Sequence, residues 1–233
     1  MRGAGAGQGL AAHPSARRVT HTHGATCGKV LVVTSAPDER PTRVPFLDRA
    51  GIDALIDTGV RVPAPDAVWI SGDARVSPGA LLHPTVVIEC DGSSQVVVGR
   101  GAVLHPGTRI SATTGASVRV GARTTLGPGG CTLVADGEDL HLGADGRYRM
   151  ALIIGPGSFG DGCQVLGPVE ARACTLEGGE PGDSPDVAAR GALLKGAGRA
   201  AGITLRRGQV VNGAGDFRRA PVEEQTAYHP AVP

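Results

Sequence analysis

The chain has 233 residues and a formal net charge of +1, with 41% hydrophobic and 19% charged residues, a balance that supports one or two packed domains and argues against global disorder. Basic residues are interspersed with acids and glycine, so there is no electrostatic footprint for nucleic acid or an anionic membrane. No run approaches the roughly 18–20 apolar residues of a membrane span, and the start MRGAGAGQGLAAHPSARR has no apolar signal core. A cytoplasmic location is expected.

Five cysteines, Cys27, Cys90, Cys131, Cys163 and Cys174, form an odd set without a CxxC pair, which fits neither a disulfide framework nor a zinc ribbon. Reduced thiols are expected. Aromatics make up only 3% of the chain while Gly numbers 37 and Pro 17, an unusual recipe for a globular core and a natural one for a narrow aliphatic core.

In chain order, residues 1–28 are Gly/Ala-rich and without periodicity, so a disordered tail is expected there, the His21 and His23 pair included. Residues 29–66 read as a short α/β lead-in. KVLVV has the composition of a strand, and FLDRAGIDALIDTGV has the i, i+3, i+4 spacing of a short helix ended by Gly59.

From Trp69 the pattern changes. Aliphatic residues recur every six positions, at Ile70, Val76, Leu82 and Ile88, then Val98, Leu104 and Ile110, then Val120 and Leu126. Neither a helix nor a hairpin repeats at six, but one short strand plus one corner does, and three such sides close a triangular coil. The pair LHPT and LHPG, with His83 and His105, returns after 22 residues, and so do Ile88 to Ile110 and Val98 to Val120. Each coil therefore has about 18 residues of sides plus a short insertion at one corner, as in CDGSSQ, SATTGA and ADGED. The expected fold is all-β: a left-handed parallel β-helix over 67–217, its coils extended to 22 residues and numbering about seven. A Gly, Pro and Asp-rich projecting loop is expected near 177–191, and a C-terminal tail over 218–233.

The text PAPDAVWISGDARVSPGALLHPTVVIE resembles the start of the β-helix in the bacterial bifunctional glucosamine-1-phosphate acetyltransferase and N-acetylglucosamine-1-phosphate uridyltransferase family. The likeness spans roughly residues 45–110 plus the final coil LRRGQVVNGAGD. It implies a hexapeptide-repeat fold, a homotrimer with sites between subunits, acyl-CoA as co-substrate and a histidine as general base. Only about 60 residues precede the coils, so nucleotidyl transfer is not expected. The family's His-Leu-Thr-Tyr-Leu-Gly and Asn-Tyr-Asp-Gly segments are not found. IECDGSSQVVVG also resembles γ-class carbonic anhydrases, yet no H-x4-H pair accompanies it, and no metal site is expected.

Three histidines are candidate catalytic residues. His83 and His105 follow inward leucines, so they stack on adjacent coils at a corner about 4.8 Å apart, where the bland alternative is a corner filler before proline. His141, in GEDLHLGADGRYRM, lies beside an insertion near Asp139 and Asp145, and an imidazole oriented by a carboxylate can deprotonate an acceptor. Candidate substrate-binding residues are Lys195 and Arg199, which suit a phosphate or carboxylate, together with Glu89, Asp91, Asn212 and Tyr228. Gly196 and Gly198 are read as letting a ligand approach the backbone.

The expected activity is transfer of an acyl group from acyl-CoA to a small amine, sugar or hydroxyl acceptor. Two other readings stay open at this point. One is a repurposed enzyme of specialised metabolism using His/carboxylate chemistry, with or without a metal's assistance, for elimination, cyclisation or hydration; the other is a non-catalytic trimeric scaffold. Expected partners are a second and third copy of the chain and a small-molecule substrate, with neither nucleic acid nor membrane.

Overall fold

A computed structural model describes residues 45–229; the KVLVV strand, the histidines of the N-terminal tail and Cys27 lie outside them. The helix runs Arg49–Asp57, capped by the Asp48 side chain, which accepts from the Gly51 N–H, and it ends at Thr58 before Gly59 at φ +96°. Its buried Ile52 joins Val60, Val62 and Val68 in the core. Arg61 bridges in parallel to Leu81, with its N–H donating to the Ala80 carbonyl and its carbonyl accepting from Leu82. The lead-in thus covers the open edge of the first coil, where unpaired backbone would otherwise face water.

The rest is a left-handed parallel β-helix of seven coils, with three short strands per coil and every coil-to-coil pairing parallel. The hexapeptide positions become three inward columns. On the first face Ile70, Ile88, Ile110, Leu133, Ile154, Ala171 and Ala200 follow one another, and on the second Val76, Val98, Val120, Leu142, Phe159, Leu176 and Leu205. On the third they are Leu82, Leu104, Leu126, Tyr148, Val165, Leu194 and Val211. Nearly all are fully buried, and each such aliphatic side chain contributes about 1.5–3 kcal/mol by leaving water.

The third column also gives the true period. From Leu82 to Leu104, Leu126 and Tyr148 the step is 22 residues, but Tyr148 to Val165 takes 17, Val165 to Leu194 takes 29 and Leu194 to Val211 takes 17. The 22-residue coils give way to shorter ones once the turn insertion is lost, and the 29-residue coil carries the 177–191 loop. That loop is held down rather than free. Glu180 bridges Arg190, Asp183 pairs with Arg147 at 2.5 Å, and Gly182 lies so close to Gln164 that an added Cβ would fall 2.2 Å from its amide nitrogen. At the other end Val222–Glu224 pairs antiparallel with Gln209–Asp216, and buried Gln225 donates to the Gly191 and Gln209 carbonyls. The tail therefore folds back and closes the last edge.

The recurring V-G of VGRG, VGAR and LGAD has a steric cause. A Cβ at Gly121 would lie 2.3 Å from the Gly143 carbonyl carbon, and one at Gly143 would lie 2.4 Å from the Asp161 nitrogen. At this corner the coils approach too closely for any side chain. Gly121→Ala is expected to lower the unfolding free energy by about 1–3 kcal/mol. Arg119→Ala, exposed on the same face, should stay within about 0.5 kcal/mol. Urea unfolding of the two variants against the parent checks the difference.

Candidate functional site

The ridge where the third face turns into the first carries a column of outward residues. Extending the third-face register by one residue aligns His83, His105, Gly127 and Arg149, and the strand pairing continues it through Leu166, Lys195 and Asn212. The His83 and His105 rings are stacked, with centroids 5.1 Å apart and planes within 7°. The ladder bonds from the His83 N–H to Leu104 and from the His105 N–H to Leu126 fix both backbones.

The LHP text is not repeated a third time because the space is taken. Gly127 adopts φ +94°, and a Cβ there would lie 2.6 Å from the His105 Cβ and 3.4 Å from its Cγ. The imidazole leans over a glycine, so no side chain stands between it and Arg149. Burial, then the neighbouring His83, then Arg149 push the His105 pKa below its ordinary 6.5. Its neutral, proton-accepting form therefore persists to lower pH than that of a free imidazole.

Lys195, Asn212 and Tyr228 meet at the far end of the same ridge. With Leu193, Val210, Gln225 and His229 they line a recess of about 50 Å³, enough for a water or a small group and too small for a coenzyme. The Tyr228 hydroxyl donates to Glu223, and this hydrogen bond raises its pKa. Gly196 and Gly198 are not open to a ligand, because Cβ atoms there would lie 2.0 and 2.1 Å from the Gly213 and Gly215 carbonyl oxygens. Their smallness serves the stacking of coils.

The remaining candidates lie elsewhere. Arg199 is exposed on the first face, beside Asp216 and Arg218, which pair with each other at 2.8 Å. Glu89 is on the first face and pairs with Arg109 at 2.5 Å. Asp91 is buried in the inserted turn, where it accepts from the Ser93 N–H and hydroxyl and from the Thr114 N–H of the next coil. Burial would raise its pKa, but these donors and the Ser94 hydroxyl outweigh it and hold the carboxyl at about 2.

His141 does not sit on a loop. It is the exposed middle residue of the strand Leu140–Leu142, paired with Arg119 and Ser158 on the second face, so within one chain it does not meet the ridge. Its expected carboxylate partners are engaged otherwise: Asp139 accepts from the Ser117 N–H at 2.8 Å, and Asp145 pairs with Arg123 at 2.6 Å. Arg149 is the ridge residue that the sequence reading missed. It lies 22 residues beyond Gly127, so the period locates it, although the third turn no longer carries the LHP text that marks the column.

Among the described residues no group of three or more His, Cys, Asp or Glu side chains is placed to hold a metal ion, and no helix is long and apolar enough to cross a membrane. Cys131 and Cys163 are buried thiols with pKa pushed to about 12 by burial, which leaves them unreactive. No family model and no curated protein sequence matches the chain. Among solved structures, the polySia specific acetyltransferase NeuO aligns with 71% of this chain and 82% of its own, at 14% identity and a TM-score of 0.38. A likeness that remote adds no argument about chemistry.

Two titrations check the electrostatics. The C2–H resonance of His105 is expected to titrate below 6.5 and to move up in His83→Ala, which removes a repelling charge. Because its folded pKa is depressed, this group contributes stability above pH 6.5 that declines as pH falls through the unfolded and then the folded value. Asp91 likewise contributes stability that is present above about pH 4 and lost as pH falls toward 2, so in Asp91→Asn that part of the acid unfolding curve should flatten. Loss of its turn bonds should also cost about 1–3 kcal/mol at neutral pH.

Proposed function

We propose that this protein is an acyltransferase that uses the His83–His105 ridge, with His105 as general base. The observation that carries this reading is the stacked pair itself, in which burial, then His83, then Arg149 hold the half-buried His105 imidazole below its ordinary pKa. A neutral imidazole at a coil corner can accept the proton of an amine or hydroxyl as that group attacks an acyl thioester. The new C–N or C–O bond forms at the thioester carbonyl, a backbone N–H stabilises the oxyanion, the C–S bond breaks, and the imidazolium returns its proton to the departing thiolate. The donor is acyl-CoA, and the acceptor is a small amine, sugar or hydroxyl compound, in keeping with the resemblance of residues 45–110 to a sugar-phosphate acetyltransferase.

The His/carboxylate alternative loses support because Glu89, Asp91, Asp139 and Asp145 are each engaged with an arginine or a backbone N–H. The recess near Lys195 cannot hold a coenzyme, so the donor is bound between subunits of a homotrimer. Support for such an assembly comes from Trp69 and Leu152, 56% and 58% exposed on the first face, and from Met150, 51% exposed just past the ridge.

Calorimetry with CoA and acetyl-CoA, and release of free thiol in the presence of amine, sugar and alcohol acceptors, test the reading. Binding and acceptor-dependent thiol release are expected, and His105→Ala should reduce kcat/KM about 10²–10⁴-fold. The acid limb of the rate should fall below pH 6.5 and shift upward in His83→Ala. Light scattering should give three chains per particle. Absence of binding by CoA in any acyl form would reject the transferase reading.

A further inference from the structure

We propose that the ridge between His105 and Arg149 binds an anionic oxygen group, a carboxylate or a phosphate, carried by the substrate. Three observations converge on it. First, the register places the His83 and His105 imidazoles and the Arg149 guanidinium in one column, with Lys195 further along the same ridge. The backbone positions of His105 and Arg149 are two coils apart, about 10 Å along the axis. That separation lets both side chains converge on one bound group. Second, the intervening position is Gly127, and the close approach of His105 to it leaves no side chain at that position between the imidazole and the Arg149 guanidinium. Third, Arg149 is exposed, and among the described residues no carboxylate or carbonyl accepts from its guanidinium.

Among the described residues, no carboxylate is paired with a side chain of the column. The neighbours that act electrostatically on His105, His83 and Arg149, both disfavour its protonated form. The two strands that follow on the first face, Val87–Cys90 and Thr108–Thr113, carry Glu89 and Arg109, which are paired with each other, and the Thr85 hydroxyl accepts from the Gly107 N–H. A ridge with uncompensated positive charge at its centre favours an anion, and a guanidinium facing an imidazole offers charge-assisted donors of the kind that grip carboxylate and phosphate oxygens. The proposal rests on the ridge being the reaction site, and it gives the class of the substrate: one whose acidic group is held by Arg149 while its nucleophile faces His105.

The test follows the imidazole C–H resonances of the full chain near pH 6 during titration with sodium phosphate and, separately, sodium acetate at constant ionic strength. Saturable shifts of His105 and His83 are expected, with the His105 titration moving to higher pH as the anion binds. Arg149→Gln should weaken binding about tenfold or more, Arg149→Lys should restore part of it, and Arg119→Gln on the second face should leave it unchanged. The tighter of the two anions identifies the source as phosphate or carboxylate. Absence of a saturable shift with either anion, or wild-type binding by Arg149→Gln, overturns the proposal. Because the readout needs no turnover, anion binding without acyl transfer would reject the transferase reading and leave the anion site standing.

Discussion

The whole structure depends on the parallel backbone ladder that holds each coil one hydrogen-bond spacing from the next. Along that ladder a residue's neighbours are its equivalents in the adjacent coils, so chemistry is organised in columns rather than in local sequence. Inward columns must be apolar throughout, as in Leu82, Leu104 and Leu126. The corner at Gly121 and Gly143 must be glycine because coil backbones meet there. Outward columns are free of both demands and are where function can be written.

The narrow core leaves little tolerance. In the fourth and fifth coils Tyr148 and Phe159 pack edge to face, 6.1 Å apart, on columns that are otherwise mostly aliphatic. A Cβ at Gly146 would lie 2.7 Å from the Tyr148 ring, so glycine makes the room. Among the described residues the buried Tyr148 hydroxyl has no hydrogen-bond partner, a deficit of about 1–3 kcal/mol that the stacked apolar columns offset. The coils shorten at this point, and the ring volume and the changed turn occur together.

Carboxylates near the coil turns serve the scaffold. Asp91 reaches the Thr114 N–H, Asp139 the Ser117 N–H and Asp161 the Ala144 N–H, each joining one coil to its neighbour. A histidine that needed a carboxylate to orient it would have to compete with these bonds. The stacked His83 and His105 instead rely on ladder geometry for orientation, and His105 takes its electrostatics from burial, His83 and Arg149. On the proposed function, this suits base chemistry by a neutral imidazole rather than a charge-relay arrangement.

The six-residue spacing by itself determined the fold and the inward columns, because no other regular backbone repeats at six, and the 22-residue return of LHP determined that His83 and His105 share a corner. The same period, continued past Gly127, places Arg149 on that corner as well. The sequence could not place Lys195 and Asn212 on that same ridge, since the period changes to 17 and then 29 where turns are lost and a loop is inserted, and register is known only once the strands pair. Nor could it show that His141 stands apart on another face, that Asp91 is buried in a turn, or that Gly196 and Gly198 serve coil contact. Those facts depend on which backbone lies beside which, and only the closed ladder decides that.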